Sequence, residues 1–158
     1  MSANDRQVGG THYKTAYEHW DLVLAVGLGY MEGQATGYVA RWRRKNGLED
    51  LSKALHYVEK LIECRARAAQ ILRRASHGVA LEEIWKFSVA NDLSSLERVF
   101  MERLAVWRTL GDLETARELL LQIMAEATPE PAPVPLAEEN HYSERALIGG
   151  PDGNPPQD

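Results

Sequence analysis

The sequence has almost no cysteine, and its prolines are confined to one end. Cys64 is the single cysteine, so no internal disulfide can form, and its place in a helical pattern indicates a packed thiol. All seven prolines lie at or beyond Pro129. Because proline inside a helix costs about 3 kcal/mol, this distribution leaves residues 1–128 free to be helical. We expect a reducing compartment for this chain.

Long apolar runs and common enzyme motifs are also lacking. No run approaches the ~20 apolar residues that span a bilayer, and no export signal opens the chain, so we expect a cytoplasmic protein without membrane contact. There is no Walker loop, nucleophile elbow, HExxH or cysteine–histidine metal set. The stretch "GLGYMEG", residues 27–33, has the glycine spacing of a dinucleotide-binding loop but follows a predicted helix instead of a strand.

Charge is distributed unevenly along the chain. The formal net charge is −5, made up of −2 over residues 1–40, +6 over 41–74 and −9 over 75–158. A basic block inside an acidic protein is typical of an anion site, although a solvated helix face explains it as well. The acidic flanks argue against nonspecific affinity for DNA, so we do not expect a nucleic-acid partner.

Helical periodicity dominates the first 128 residues and predicts an all-α fold, a small bundle of about six helices. The third helix is the best defined, because apolar residues recur at three- and four-residue steps. These residues are Leu48, Leu51, Leu55, Val58, Ile62 and Ala66. The helices are predicted over about 19–27, 30–45, 48–72, 80–90, 93–109 and 112–126.

Short polar segments predict where these helices begin and end. Asn46–Gly47 is expected to end the second helix, and "SHG" near residue 77 to end the third. Asn91 or Asp92 is expected to cap the fifth helix. Gly111 is interpreted as the stop after it and Asp112 as the cap of the sixth.

Composition divides the chain into three regions. Residues 1–75 are expected to form a helical core that contains the "GGTHYK" loop and a cationic helix pair. Residues 76–127 are expected to add an acidic helical hairpin. Residues 128–158, rich in proline and glycine, are predicted to be a disordered tail.

The cationic stretch over residues 38–63 is the strongest candidate for chemistry. The second helix carries three cations on one side: Arg41, Arg44 and Lys45. If the second and third helices pack antiparallel about Asn46–Gly47, this side faces the third helix. That helix carries Lys53, His56, Tyr57 and Lys60 on one face. Arginine and lysine bind phosphate, and Tyr57 could stack on a base, whereas Trp42 is interpreted as a core residue.

A carboxylate pair offers a different interpretation. Glu59 and Glu63 lie one helical turn apart, as in all-α pyrophosphohydrolases that bind Mg²⁺ through helical carboxylates. A solvated helix face accounts for them equally well, and no second pair is placed to face them.

Two stretches resemble a known family. "VGGTHYK" at residues 8–14 and "GYVARWRRKNGLEDLSKALHYVEKLIE" at 37–63, with "HWD" at 19–21 between them, are similar to the phage-encoded SaV-like family. That family includes the nucleotide kinase of the T-odd coliphages. The resemblance covers about residues 8–63, and two features depart from it: Gly37 stands where the family commonly has a charged residue, and "HWD" lacks the usual proline.

The resemblance implies a phage protein in the host bacterial cytoplasm that forms a homo-oligomer. It implies phosphoryl transfer from ATP or another nucleoside triphosphate to a deoxynucleoside monophosphate, with Mg²⁺ as a candidate cofactor.

The residues expected to act follow from the matched motifs and the cationic helices. Catalytic roles are expected for Arg41, Lys53, His56 and His12. Nucleotide or phosphate binding is expected for Gly10, Thr11, Tyr13, Lys14, Arg44, Lys45 and Tyr57. No metal set is predicted, with Asp50 and Glu32 as the only candidates, and Asp50 could instead pin an arginine or cap its helix. The alternative function is non-catalytic: binding a nucleotide, or a host protein in counter-defence through the acidic helices 80–126.

Overall fold

Six α-helices make up most of the structure, which confirms the all-α prediction. The computed structural model describes residues 15–71 and 75–128, and no strand occurs within those ranges. The helices are α1 (His19–Val26), α2 (Tyr30–Arg41), α3 (Leu48–Ile71), α4 (His77–Ala90), α5 (Ser95–Val106) and α6 (Leu110–Ala127), with a 3₁₀ turn at Trp42–Arg44. Apart from Thr128, the predicted tail lies outside the described residues.

The predicted turn between α2 and α3 is confirmed, but α2 ends earlier than expected. Its last α-helical residue is Arg41, and the chain continues as the 3₁₀ turn. Gly47 has a φ of 57°, a left-handed conformation that glycine adopts without strain, and its N–H donates to the carbonyl of Trp42 at 2.9 Å. The chain therefore reverses here, and α2 and α3 pack antiparallel, as expected.

The predicted helix caps were wrong by a few residues. Ser94, instead of Asn91 or Asp92, caps α5: its hydroxyl accepts from the N–H of Glu97, whose carboxylate accepts from the N–H of Ser94. This reciprocal pair is a capping box, which satisfies two otherwise unpaired donors at the helix start. Asn91 instead ends α4 and donates from its amide to the carbonyl of Tyr17 at 3.0 Å.

Two further boundaries shift for similar reasons. Thr109 caps α6 through a capping box with Asp112, so Gly111 lies inside the first turn and Asp112 is the third helical residue. The "SHG" segment begins a helix instead of ending one, because Ser76 is the N-cap of α4. Asn91, Asp92 and Asp112 were the cap candidates in the sequence, but the residue that caps each helix depends on backbone geometry.

One hydrophobic core joins all six helices. Its largest fully buried apolar side chains are Phe87, Phe100, Leu22, Leu51, Leu61, Ile84, Met101, Leu104, Leu113 and Leu120. On α3 the buried stripe is Leu51, Ala54, Val58 and Leu61. The predicted stripe was therefore offset: Leu48 is exposed, and Leu55 and Ile62 are only half-buried.

Helices on both sides of the boundary predicted at residue 75 contribute to this core. α1 packs on α4, α3 packs on α6, and α2 contacts α5. The N–H of Ala75 donates to the carbonyl of Val26 at 2.9 Å, which ties the segment before α4 to the end of α1. The acidic helices therefore complete the core of the cationic ones. None of the described helices is long and apolar enough to cross a bilayer.

A buried carboxylate ties α5 to the end of α2. The Glu97 side chain is fully buried. It accepts from Nε1 of Trp42 at 2.5 Å and from Nη1 of Arg43 at 2.7 Å, in addition to the capping box. Burial by itself raises the pKa of Glu97, but the hydrogen bonds from Arg43, Trp42 and Ser94 outweigh it and leave the pKa below its ordinary value of 4.5.

Glu97→Ala is expected to lower the free energy of unfolding by about 2–4 kcal/mol, because Trp42 and Arg43 lose their acceptor and the N–H of Ser94 loses its partner in the capping box. Glu118→Ala is the matched control, since Glu118 is an exposed helical glutamate of α6. Chemical denaturation measures both. Equal effects of the two substitutions would contradict the structural role of Glu97.

The same carboxylate predicts a pH dependence of stability. Because the pKa of Glu97 is depressed in the folded state, the unfolded chain takes up a proton at higher pH than the folded chain does. The stabilisation is therefore present above about pH 4.5 and is lost as the pH falls through the folded pKa. Denaturation between pH 6 and about pH 3 should show a steeper loss for the wild-type protein than for Glu97→Gln.

Candidate functional site

A groove of about 310 Å³ lies between α1 and α2. We call it the α1–α2 groove. Its walls come from the first two turns of α1, from the connecting loop, and from one face of α2. The lining residues are His19, Trp20, Val23, Leu28, Gly29, Tyr30, Gly33, Gln34, Gly37, Tyr38 and Arg41. Aromatic and polar side chains thus converge on one concave surface, which is typical of small-molecule sites.

One glycine of α2, Gly37, allows the His19 ring of α1 to approach closely. A Cβ at Gly37 would lie 3.0 Å from Cε1 of His19, which is too close for an unstrained contact. A Cβ at Gly33 would lie 3.5 Å from Cγ2 of Val23, an ordinary van der Waals distance. Glycine inside a helix costs about 1 kcal/mol relative to alanine. At position 37 the structure gives a reason for that cost, because the His19 ring occupies the space of a side chain.

His19 is held in place by a hydrogen bond to Thr36 of α2, which is itself hydrogen-bonded to the α2 backbone. Its Nε2 lies 2.9 Å from the hydroxyl of Thr36, and that hydroxyl donates to the carbonyl of Glu32 at 2.8 Å. The other side of the ring meets the ring of Phe87 edge-on, with 5.9 Å between centroids. Burial, and then the nearby positive charge of Arg41, lowers the pKa of His19 to about 4. The imidazole is therefore neutral at pH 7.

Aromatic rings stand on both sides of the groove. Trp20 on α1 is 50% exposed and Tyr30 on α2 is 68% exposed, so both present open ring surface. Tyr38 lies about two helical turns beyond Tyr30 on α2 and stacks with Tyr57 of α3 at a centroid distance of 5.9 Å. A hydrogen bond between Tyr30 and Tyr57, followed by burial, raises the pKa of Tyr57. Tyr57 also meets Tyr30 at a centroid distance of 6.0 Å, so these three tyrosines form one connected aromatic cluster.

Arg41 closes one end of the groove and is held in place by two contacts. Its Nε donates to Oδ2 of Asp50 at 3.2 Å, and its guanidinium carbon lies 4.5 Å from the centroid of the Tyr38 ring. The Asp50 side chain is fully buried, and its Oδ1 accepts from the amide of Asn46 at 2.9 Å. Of the roles considered for Asp50, the structure therefore favours the pinning of an arginine.

Lys53 is the second cation beside the groove. Its Nζ lies 5.9 Å from the centroid of the Tyr38 ring and 2.5 Å from Oε1 of Glu49. That hydrogen bond to Glu49 is the main cause of the raised pKa of Lys53. His56 is exposed one turn further along α3 and meets the Tyr57 ring at 6.3 Å. Arg41, Lys53 and Tyr57 are thus brought together around Tyr38, with His56 at the edge.

Other predicted site residues are directed elsewhere. Arg44 does not share a helical face with Arg41, because α2 has ended; it donates to the carbonyl of Ala40 at 2.9 Å and to Oδ1 of Asn91 at 3.3 Å. Lys45 follows the 3₁₀ turn and is exposed. Lys60 pairs with Glu63 at 2.9 Å. The cations of the basic block therefore divide between the groove, the end of α2 and the outer face of α3.

Glu32 is buried and accepts from Nε1 of Trp107 at 2.8 Å, a contact that joins α2 to the start of the α5–α6 connection. Glu59 contacts Arg117 of α6 at 3.4 Å on the exposed surface. Over residues 15–71 and 75–128, no three His, Cys, Asp or Glu side chains are grouped so that they could hold a metal ion.

The N-terminal motif lies outside the described residues. This applies to Gly10, Thr11, His12, Tyr13 and Lys14, and so to the prediction that three of them lie near Arg41, Lys53 and His56.

The groove itself was missed by sequence reasoning. His19, Trp20, Tyr30 and Gln34 were not selected because each is an ordinary residue on a helix. A signal was present: Gly29, Gly33 and Gly37 recur at four-residue spacing, which is typical of a helix face that another element approaches closely.

Comparison of the chain with models of protein families, with curated proteins and with solved structures finds no match.

Gly37→Ala tests the close approach of α1 to α2. The substitution is expected to lower the free energy of unfolding by about 1 kcal/mol, since crowding against His19 outweighs the gain in helix propensity. Gly33→Ala is the control on the same helix face and is expected to be neutral or to raise stability by up to about 1 kcal/mol. Thermal unfolding of both variants measures the difference. A stabilised Gly37→Ala protein would rule out the close contact.

Proposed function

We propose that this protein binds a nucleotide in the α1–α2 groove and acts as a nucleotide kinase, transferring a phosphoryl group from a nucleoside triphosphate to a deoxynucleoside monophosphate. The observation that carries the proposal is the continuity of one groove from the exposed rings of Trp20 and Tyr30 to the pinned guanidinium of Arg41. Aromatic rings bind the faces of bases, and arginine binds phosphate with several donors.

The groove has an aromatic end and a cationic end, and this difference sets the orientation of a bound nucleotide. The base lies between Trp20 and Tyr30, and the phosphate lies toward Arg41 at the other end of α2. Asp50 and Tyr38 hold the arginine before any ligand arrives, so little entropy is lost when it binds a phosphate.

Lys53 can add positive charge to the same end. Its pair with Glu49 is exposed, and exposed pairs contribute only about 0–1 kcal/mol. Lys53 can therefore exchange the Glu49 carboxylate for a phosphate at little cost in free energy.

Phosphoryl transfer asks for position and charge, not for a strong base, because a monophosphate is already nucleophilic. A volume of about 310 Å³ is at the lower end of ligand pockets and suits a single small ligand, which we assign as the acceptor monophosphate. The resemblance to the SaV-like family supports the rest of the proposal: ATP or another triphosphate with Mg²⁺ as donor, contact of the donor with residues 10–14, a homo-oligomer, and a phage protein acting in the host cytoplasm.

The kinase proposal predicts formation of a diphosphate. Purified protein is incubated with ATP, Mg²⁺ and each deoxynucleoside monophosphate in turn, and products are separated by chromatography. Arg41→Lys keeps a positive charge but loses the planar fork, so kcat/KM should fall roughly 10- to 100-fold. Arg108→Lys, at an exposed residue between α5 and α6, is the matched control and should leave kcat/KM unchanged. Absence of product with every acceptor at high protein concentration would overturn the kinase.

A specific observation favours a second candidate, binding without turnover. Arg41 and Lys53 each pair with a carboxylate, so the charge that would face a transferring phosphoryl group is partly neutralised. Such a groove can sequester a nucleotide, and the acidic outer helices can contact a host protein. Calorimetry with a nucleotide panel distinguishes the two candidates, because heat of binding without diphosphate formation supports sequestration alone.

A further inference from the structure

The hydrogen bonds around His19 assign the positions of its protons. A threonine hydroxyl has one proton to donate, and that of Thr36 is directed to the carbonyl of Glu32 at 2.8 Å, with the carbonyl of Gly33 at 3.2 Å. This network assigns the hydroxyl oxygen as the acceptor in its contact with Nε2 of His19 at 2.9 Å. Nε2 consequently carries the proton of the neutral ring, and Nδ1 carries a lone pair.

Nδ1 of His19 lies at the Gly37 wall of the groove. The Cε1–Nδ1 edge of His19 lies over Gly37, where a Cβ would be 3.2 Å from Nδ1, and both residues line the groove. Among residues 15–71 and 75–128, none donates a hydrogen bond to Nδ1. A half-buried acceptor without a donor favours a ligand that supplies one.

Gln34 provides a second polar group on the same wall. It lies three residues before Gly37 on α2, so the two positions share a helix face. The Gln34 side-chain amide can donate and accept at once, and the described residues offer it no hydrogen-bond partner. Together, His19 and Gln34 present two acceptors and one donor pair to a ligand.

We propose that His19 and Gln34 select nucleotides whose base carries an exocyclic amino group, such as adenine or cytosine. This inference rests on the proposed binding of a nucleotide in the groove. An amino group has two protons, which satisfy Nδ1 of His19 and the amide oxygen of Gln34. The adjacent ring nitrogen accepts from the amide N–H of Gln34. A thymine or uracil edge places carbonyl oxygens on both sides of its single N–H, and one of these would face the lone pair of His19.

The assignment of the ring protons is tested first, without any ligand. ¹⁵N NMR of imidazole-labelled wild-type protein at pH 7 distinguishes a protonated ring nitrogen from an unprotonated one. A protonated Nε2 with an unprotonated Nδ1 is expected. A proton on Nδ1 would overturn the inference and leave the proposed nucleotide site untouched.

Selectivity is tested with nucleotides that differ only in the amino group. Calorimetry compares dAMP with 2′-deoxyinosine monophosphate, and dCMP with dUMP. Each amino-bearing nucleotide should bind roughly 10-fold or more tightly than its partner, because a buried acceptor left unpaired loses affinity. Equal affinities within both pairs would overturn the inference while supporting the nucleotide site. Binding of none of the four would overturn the proposed function, and the inference with it.

Two substitutions of His19 test whether its Nδ1 atom causes the preference for amino-bearing nucleotides. His19→Asn keeps an amide oxygen near the position of Nδ1 and should retain the preference for the amino-bearing nucleotides. His19→Gln reaches toward Thr36 but leaves no acceptor near Nδ1, so the preference should fall below about 3-fold while binding persists. An unchanged preference in His19→Gln would overturn the role of Nδ1.

Discussion

The contact between the His19 ring and the bare backbone of Gly37 is the constraint on which the candidate site depends. It sets the separation of α1 and α2, since any side chain at position 37 would meet the ring at about 3.0 Å. Because the ring fills that space, it lines the groove between the two helices and is held there from behind by Thr36 and Phe87. A glycine that weakens its helix locally thus defines a cavity and orients a neutral imidazole within it.

Some charged side chains of this protein are buried between helices and hold them together, while others face solvent. Glu97 and Glu32 are buried and bind tryptophan N–H groups from other elements, and Asp50 is buried against Arg41. A buried carboxylate is tolerated only when it is fully hydrogen-bonded, and each of these has at least one partner at hydrogen-bond distance. The basic block is consequently not one surface, because Arg43 and Arg44 serve the fold while Arg41 and Lys53 flank the groove.

The proposed nucleotide site combines features that arise from different parts of the chain. Trp20 belongs to α1, Tyr30 and Arg41 to α2, and Asp50 and Tyr57 to α3. The close contact of His19 with Gly37 brings the first two elements together, and the tight turn at Gly47 folds α3 back against α2. Acidic helices α4–α6 supply no residue to the groove lining, but they bury the opposite faces of α1–α3 and so hold the groove walls in place.

The sequence by itself determined the all-α class, the number of helices, the turn at Asn46–Gly47 and the antiparallel pairing that follows from it. These features depend on local periodicity and on the absence of proline, which act within a few residues of one another. Tertiary structure decided which polar residue caps which helix, that Asp50 pins Arg41, that Arg44 turns toward Asn91, and that His19 lines a groove. Those outcomes depend on which helix faces meet, and no spacing within a single helix specifies the residue that will lie across from it.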